Sequence, residues 1–254
     1  MVQQGKKKYI TPDGYTADIA IFTITAKKTE KKAPPEMFLK LLLIKRATTD
    51  KEGNPNVEGN KWALPGGFVN ANETAYEAAQ RELNEETGVS GLQVKHFGMY
   101  DQPGRDPRGW IISNAFYAIV QEKFLHQRKA NDDAAEVDLF TIKEVLQLDL
   151  AFDHYKIINE AIELLKKEMM QTTIAKNFLP DEFTLSELQR VLLTVRDDAK
   201  ISADSLFFSK APKLPFLEKV LDEKGLQKKT KRNSFRPSQL YRFNAEIVTD
   251  SIYY

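Results

Sequence analysis

The chain has 254 residues, 37 Lys and Arg against 36 Asp and Glu, a formal net charge of +1 and no cysteine. The charge balance argues against a uniformly basic nucleic-acid binder, although it allows a local basic patch. The lack of cysteine excludes a disulfide framework and a thiolate zinc site, and it is typical of a reducing compartment. No apolar run approaches the ~18 residues that cross a bilayer. The composition therefore predicts a cytoplasmic protein with no membrane partner.

The first 150 residues combine short β-rich runs with one helical stretch. We predict strands at 17–25, 38–45, 111–120 and 137–141, and a helix at 74–86. Charged segments rich in Pro, Gly or Asn predict loops at 27–36 and 51–60. An amphipathic pattern predicts a further helix over residues 153–171, with Asp153 as its N-cap.

The composition changes near residues 171–180, where we expect one domain, residues 1–170, to give way to a second, residues 171–254. Thr184 and Glu187 predict a capping box that opens a helix at 185–195. Pro215 and Gly225 predict another helix, at 215–224. Two predicted strands around a basic turn follow at 226–243, and this order is typical of a winged helix-turn-helix.

The predicted helix at 74–86 concentrates negative charge on one face. Glu82 and Glu86 lie one turn apart, and Arg81 lies one turn from Glu85. Two carboxylates at this spacing repel by roughly a few tenths of a kcal/mol. A divalent cation would relieve that repulsion, and Mg²⁺ is usually held by one or two carboxylates together with substrate phosphates. A solvated acidic face is the alternative for a glutamate-rich helix taken alone.

The spacing of these charges favours the metal site. The string G-x5-E-x7-R-E-L-x-E-E-x-G-V runs from Gly67 to Val89, and it resembles the Nudix box at every defined position. The resemblance implies the α/β class, as a Nudix α/β/α sandwich with a mixed sheet. It also implies Mg²⁺- or Mn²⁺-dependent hydrolysis of a nucleoside diphosphate linked to another group.

The same resemblance assigns roles to individual residues. It implies that Glu82 and Glu86 are the main metal ligands and that Glu85 shares this duty. It further implies that Arg81 orients Glu85 through a salt bridge and that Glu73 fixes the loop geometry. Two preceding glycines would let the backbone turn tightly beside the metal and the substrate: Gly66 and Gly67.

Residues flanking the motif resemble the ADP-ribose pyrophosphatase-like domains and the Nudix-related transcriptional regulators. The similar segments are residues 62–65, Pro103 with the turn 105–109, and residues 150–154, and the resemblance covers residues 15–165. Arginines suited to a diphosphate or a terminal ribose follow from it: Arg46, Arg105 and Arg108. The alternative is an ordinary exposed basic turn. Trp110 stands where the family usually has a second basic residue, and its indole could instead stack on a base.

A base that activates water is the next element such enzymes need. Asp132, Asp133 and Glu136 precede a predicted strand in a suitable loop, and we take Glu136 as the candidate. A solvated acidic loop is the alternative. His154 is expected to start a helix and to orient its neighbours. The three histidines lie too far apart in sequence to favour a histidine metal site.

The last third of the chain resembles the winged-helix end of the Nudix-related regulators at residues 183–191 and 237–243. Residues 210–242 hold ten Lys or Arg and three Asp or Glu, a charge suited to DNA phosphates. The predicted DNA contacts are Lys228, Lys229, Lys231, Arg232 and Arg236. Three acids in the predicted helix 215–224 argue against DNA binding. The domain could instead serve dimerisation, and the resemblance implies a homodimer.

Two hypotheses follow from the sequence. In the first, the protein is a metal-dependent hydrolase of ADP-ribose or a similar nucleoside diphosphate sugar, with Arg81, Glu85 and Glu136 as catalytic residues. In the second, it is a regulator that senses such a metabolite and binds double-stranded DNA. The undamaged motif favours hydrolase competence, and the basic wing favours regulation.

Overall fold

The architecture was taken from a computed structural model, which describes residues 11–28, 35–49, 53–91, 93–125, 134–233 and 235–245. The elements of the first part are β1 (Gly14–Lys27), β2 (Glu36–Arg46), β3 (Trp62–Ala63), β4 (Gly66–Phe68), α1 (Ala75–Thr87), β5 (Lys95–Tyr100), β6 (Ile111–Ile119), β7 (Ala134–Thr141), α2 (Ile142–Val145) and α3 (His154–Gln171). The later elements are α4 (Leu185–Val195), α5 (Ala199–Ser202), α6 (Asp204–Lys210), β8 (Leu217–Lys219), β9 (Lys229–Thr230), β10 (Ser238–Gln239) and β11 (Tyr241–Phe243).

A mixed sheet forms the centre of the first part, as predicted. β1 pairs parallel with β6 and antiparallel with β2 and β4. β2 also pairs with β3 and β7, and β5 extends the sheet from β6. Because β1 is buried on both faces, successive side chains serve different cores. Ile19 and Ile21 face one core, whereas Ala20 and Phe22 face the other.

Helices cover both faces of this sheet. α1 packs Ala78, Ala79 and Leu83 against the face that carries Ile19 and Ile21. α3 covers the opposite face, and the apolar cluster there continues through α4 into the last third of the chain. The arrangement is the expected α/β/α sandwich, followed by a small winged helix-turn-helix.

Local sequence signals correctly predicted where two helices, α1 and α4, begin. Thr74 accepts the Glu77 backbone N–H while the Glu77 side chain accepts the Thr74 N–H, so the predicted capping box is confirmed. Thr184 and Glu187 form the second predicted box, at the start of α4. Asp153 stands at the N-cap position of α3, as predicted, but its side chain makes no capping hydrogen bond. Its carboxylate instead accepts two hydrogen bonds from Arg105.

The prediction of a helix at 215–224 was wrong. Leu217–Lys219 forms the strand β8, which pairs with Tyr241–Phe243, and the chain then turns through Gly225 at a φ of 74°. Phe216, Leu217 and Val220 are buried, and Glu218 pairs with Arg242 on the opposite strand, so the long-range pairing decides the structure of this short segment. The second helix of the helix-turn-helix is α6, and the basic hairpin is built from β9 and β10. Within the described ranges, no helix is long and apolar enough to cross a bilayer.

Candidate nucleotide-binding site

Two glycines bring the loop before α1 against the sheet and against the helix's carboxylates. The Gly66 backbone N–H donates to Glu86 Oε2 at 2.8 Å. A Cβ at Gly66 would lie 2.3 Å from the Ala17 carbonyl oxygen, and one at Gly67 would lie 2.3 Å from Glu82 Oε1. The backbone approaches both groups so closely that a larger residue at either position would displace them.

Arg81 joins the loop to the acidic helix face. Its guanidinium donates two hydrogen bonds to Glu73, at 3.0 and 2.6 Å, and one to the Phe68 carbonyl at 3.0 Å. Nη1 also donates to Glu82 Oε1 at 2.7 Å and to Glu85 Oε2 at 3.1 Å. The hydrogen bonds from Arg81, followed by the one from the Asn70 backbone, lower the pKa of Glu73 to about 2. The predicted pairing of Arg81 with Glu85 is therefore present as one part of a larger network.

Glu82 and Glu86 are poorly solvated carboxylates. Glu86 is buried, and burial raises its pKa well above its ordinary value. Burial also raises the pKa of Glu82, against the opposing effect of Arg81. Both groups would gain from a nearby cation, which is the property expected of metal ligands. Among the described residues, however, no group of three or more Asp, Glu, His or Cys is arranged to hold a metal ion.

A cavity of about 40 Å³ lies beside the two glycines. It brings together the three arginines that were predicted to bind substrate, Arg46, Arg105 and Arg108, with Gly66 and Gly67. The remaining lining residues are Thr16, Asp18, Leu64, Phe68, Asp106, Phe152 and His154. Three cations beside a glycine-rich loop form a site suited to a polyphosphate.

Each arginine of the cavity has a protein partner. Arg46 donates to the Val57 carbonyl at 3.1 Å and to Asn56 Oδ1 at 3.0 Å. Burial lowers the pKa of Arg46, and the neighbouring charge of Arg108 lowers it further. Arg105 is bound by Asp153, as described above. Arg108 is bound by the Asp106 carboxylate, at 2.6 Å from Nη2 to Oδ2. A phosphate entering this cavity would therefore compete with carboxylates that are already in place.

Two phenylalanines complete the mouth of the cavity. The Arg108 guanidinium carbon lies 5.0 Å from the ring centroid of Phe68 and 5.0 Å from that of Phe152. The Arg46 guanidinium carbon also lies 5.0 Å from the Phe152 centroid. Phe152 has a φ of 53°, a conformation that costs energy for a residue with a Cβ and that often accompanies function.

Sequence analysis missed Asp18, a buried carboxylate in the lining of the cavity. Asp18 is buried in β1, where it accepts a hydrogen bond from Ser113 Oγ. The His154 Nδ1 accepts the Leu64 backbone N–H at 3.0 Å, while its Nε2 lies 3.7 Å from Asp18 Oδ1. Burial lowers the pKa of His154, so the neutral ring carries its hydrogen on Nε2, facing Asp18. The only signal available beforehand was a charged residue within an apolar strand.

Other predicted site residues lie elsewhere. Glu136 lies within β7 rather than in a loop, opposite Lys45 in the register of the two strands. It is exposed and does not line the cavity. Asp132 and Asp133 fall outside the described residues. Trp110 is exposed and does not line the cavity, and its backbone N–H donates to Asp13.

The five basic residues of the hairpin that were predicted to contact DNA are all exposed. Arg232 donates to both carboxylate oxygens of Glu187, and Lys228 forms a salt bridge with Glu182 at 2.7 Å, so both cations fasten the hairpin to the start of α4. The other predicted DNA contacts on the hairpin are Lys229, Lys231 and Arg236. Two further exposed lysines that were not predicted as DNA contacts lie at the end of α6: Lys210 in its last turn and Lys213 just beyond it.

Comparison with known proteins divides the chain into two matched segments. The NUDIX domain model matches residues 16–161, and the model of the AraR C-terminal winged HTH domain matches residues 171–251.

Individual relatives resemble either the whole chain or its first part. The chain is 28% identical over 248 residues to the ADPR responsive transcriptional repressor NtrR of Acinetobacter baylyi, covering 96% of this chain and 86% of that protein. It is 41% identical over 121 residues to an ADP-ribose pyrophosphatase of Methanocaldococcus jannaschii, covering 48% of this chain and 64% of that protein. The crystal structure of Shewanella oneidensis NrtR complexed with a 27mer DNA matches at a TM-score of 0.67 and 27% identity, covering 91% of this chain and 93% of that one.

Proposed function

The chain belongs to the NUDIX domain family and carries an AraR-type winged helix-turn-helix after it, and from this premise we propose that it is a metabolite-responsive transcriptional regulator. The ligand is ADP-ribose or a closely similar nucleoside diphosphate sugar, and the partner is double-stranded DNA. Residues 1–170 bind the ligand and residues 171–254 bind DNA. The similarity to a repressor extends along 96% of the chain and therefore covers both parts. It supports the assignment of ligand binding to the first part and DNA binding to the second.

One observation carries the ligand class. Arg46, Arg105 and Arg108 line the same cavity as Gly66 and Gly67, directly beside the carboxylate face of α1. A diphosphate fits the arginine side of this site, because its oxygens can accept hydrogen bonds from the guanidinium groups. The name of the Acinetobacter repressor, which includes ADPR, supports ADP-ribose within this chemical class.

A divalent cation, Mg²⁺ or Mn²⁺, fits the residues on the other side. Glu82 and Glu86 would hold it, with Glu85 assisting, since the first two are carboxylates whose charge burial disfavours. Such an ion supplies charge neutralisation for the diphosphate and activates water. Arg81 donates to one oxygen of Glu82 and one of Glu85, which leaves the other oxygen of each carboxylate available to the ion.

Hydrolysis is the second candidate function, favoured by the complete set of Arg81, Glu82, Glu85 and Glu86. The similarity of the first part to an archaeal ADP-ribose pyrophosphatase supports it as well. In this proposal Arg81 and Glu85 act with the metal at the diphosphate. Glu136 is the proposed base; it is exposed in β7 and does not line the cavity.

On the DNA side, we propose two roles for the exposed cations of the hairpin: contact with phosphates, and attachment of the hairpin to α4. Lys229, Lys231 and Arg236 are proposed as phosphate contacts. Lys228 and Arg232 are proposed to act by fixing the hairpin against α4, through Glu182 and Glu187. A homodimer is proposed for the active form, because a two-fold protein matches a palindromic operator.

Calorimetric titration of the full chain with ADP-ribose, with and without Mg²⁺, tests the proposal when the titrated samples are also assayed for AMP and ribose 5-phosphate. Saturable binding without products supports the regulator, and binding followed by products adds the hydrolase. Glu82→Gln is the matched control: it should abolish any turnover while the protein stays folded, because an amide of nearly the same size replaces the carboxylate. Absence of ADP-ribose binding in either buffer would overturn the proposed ligand.

A further inference from the structure

The cavity is far too small for the ligand that its residues favour. Its volume is about 40 Å³, whereas pockets for small-molecule ligands generally measure ≈300–1,000 Å³. Binding of a nucleoside diphosphate sugar therefore requires side chains to move at the mouth. Arg108 is the lining group best placed to do so, since its side chain is 30% exposed while that of Arg105 is 3% exposed.

Arg108 holds together the two aromatic side chains of the mouth. Its guanidinium is planar, as a nucleobase is, and it lies at the same distance of 5.0 Å from the rings of Phe68 and Phe152. Its polar partner is Asp106. A ligand diphosphate offers Arg108 a stronger acceptor than a single carboxylate does, because it presents more charged oxygens.

Both rings are held in arrangements that cost free energy and that packing of the protein surface alone does not require. Phe68 is 44% exposed, yet the edge of its ring packs so tightly on Gly14 that a Cβ there would lie 2.4 Å from Phe68 Cε1. Phe152 is held at a φ of 53°, between buried Ala151 and the Asp153 that binds Arg105. An apolar ring kept exposed, and a second ring kept strained, are costs that ligand stacking would offset.

The geometry points to Phe68 and Phe152 as the subsite that stacks on the base of the nucleotide, with Arg108 as its placeholder in the ligand-free protein. This inference rests on the proposed function, because it assigns one end of the same ligand. Arg108 turns to the diphosphate when the ligand enters, and the base takes its place against the two rings. The alternative aromatic group, Trp110, lies outside the cavity lining.

Two ligands separate stacking from phosphate binding: ADP-ribose and inorganic pyrophosphate, which has no base. Affinities are measured on the full chain for Phe68→Leu and Phe152→Leu, which keep an apolar side chain but remove the aromatic face. Each variant is expected to lose about 5- to 150-fold in affinity for ADP-ribose. Its affinity for pyrophosphate should stay within about 3-fold of wild type, which also shows that the cavity is still folded.

Controls decide between the remaining explanations. Tyr155→Leu removes an aromatic ring that is 55% exposed from nearby α3 and should change neither affinity. Equal losses for both ligands, or unchanged ADP-ribose affinity in both phenylalanine variants, would overturn the subsite. A selective loss in Trp110→Leu instead would move the base to that indole and overturn it too. If wild type itself binds no ADP-ribose, the proposed function fails, and this inference fails with it.

Discussion

Arg105 donates two hydrogen bonds to Asp153, from Nε to Oδ2 at 2.9 Å and from Nη2 to Oδ1 at 2.6 Å. The arginine side chain is 3% exposed and that of the aspartate 19%. The pair joins the turn before β6 to the first turn of α3, at the wall of the cavity. Asp153 therefore stabilises the fold by neutralising a buried cation rather than by capping the helix.

Asp153→Ala is expected to lower the free energy of unfolding by roughly 3–5 kcal/mol, because it leaves a buried guanidinium without its counter-ion. Loss of a helix cap alone would cost only about 1 kcal/mol. Urea denaturation distinguishes the two values. The double variant Arg105→Met/Asp153→Leu should recover much of the loss, and a loss near 1 kcal/mol in the single variant would contradict the buried-pair account.

Glu86→Gln is expected to stabilise the metal-free protein at neutral pH. Burial raises the pKa of Glu86 in the folded state, so the stability linked to its protonated form is complete below the ordinary value of 4.5 and is lost as the pH rises through the folded pKa. The amide removes this loss, so the free energy of unfolding at pH 7.5 should be higher in Glu86→Gln than in wild type.

The measurement is urea denaturation in EDTA across a pH series for wild type and Glu86→Gln. Exposed Glu163→Gln serves as the matched control and should leave the pH profile unchanged. If the free energy of unfolding of Glu86→Gln varies with pH in parallel with that of wild type, burial does not raise the pKa of Glu86 in the folded protein.

Lys229→Ser/Lys231→Ser is expected to weaken DNA binding through lost phosphate contacts. Each contact contributes about 0.9 to the slope of log K against log salt concentration, so the double variant should lower that slope by nearly 2. Its unfolding midpoint should not change, since both side chains are exposed. Fluorescence anisotropy over a salt series measures the slope.

Arg232→Ser tests whether Arg232 attaches the hairpin to α4, as distinct from contacting phosphate. It removes two hydrogen bonds to Glu187, so it should lower the unfolding midpoint as well as the DNA affinity. Lys143→Ser/Lys167→Ser, on the exposed surface of the first part, is the charge-matched control. An unchanged salt slope in Lys229→Ser/Lys231→Ser would show that the DNA contacts lie elsewhere.

Local sequence signals predicted the elements that local interactions determine. The capping boxes at Thr74 and Thr184 each depend on one residue three positions away, and the acidic spacing from Arg81 to Glu86 depends on one helix. Both kinds of pattern are complete within a few residues of sequence, so they are visible before the fold is known.

Long-range pairing explains what the sequence did not reveal. Residues 215–224 carry Pro and Gly at helix-like positions, yet Leu217 pairs with Phe243 across 26 positions of sequence. Asp18 meets Ser113 and His154 only because β1 lies beside β6 and near the start of α3. Asp153 was available as a cap, but Arg105 binds it instead. Such choices depend on neighbours that only the folded chain supplies.

The central claim is that occupancy of the cavity changes the affinity for DNA. The most direct measurement is anisotropy of a labelled duplex, selected by the wild-type full chain from a random pool, titrated with and without saturating ADP-ribose. The account predicts a change of at least about 5-fold in wild type and little change in Arg46→Ala, whose duplex affinity without ligand should match that of wild type. A wild-type protein that binds both molecules with no effect of one on the other, or that selects no duplex, would contradict it.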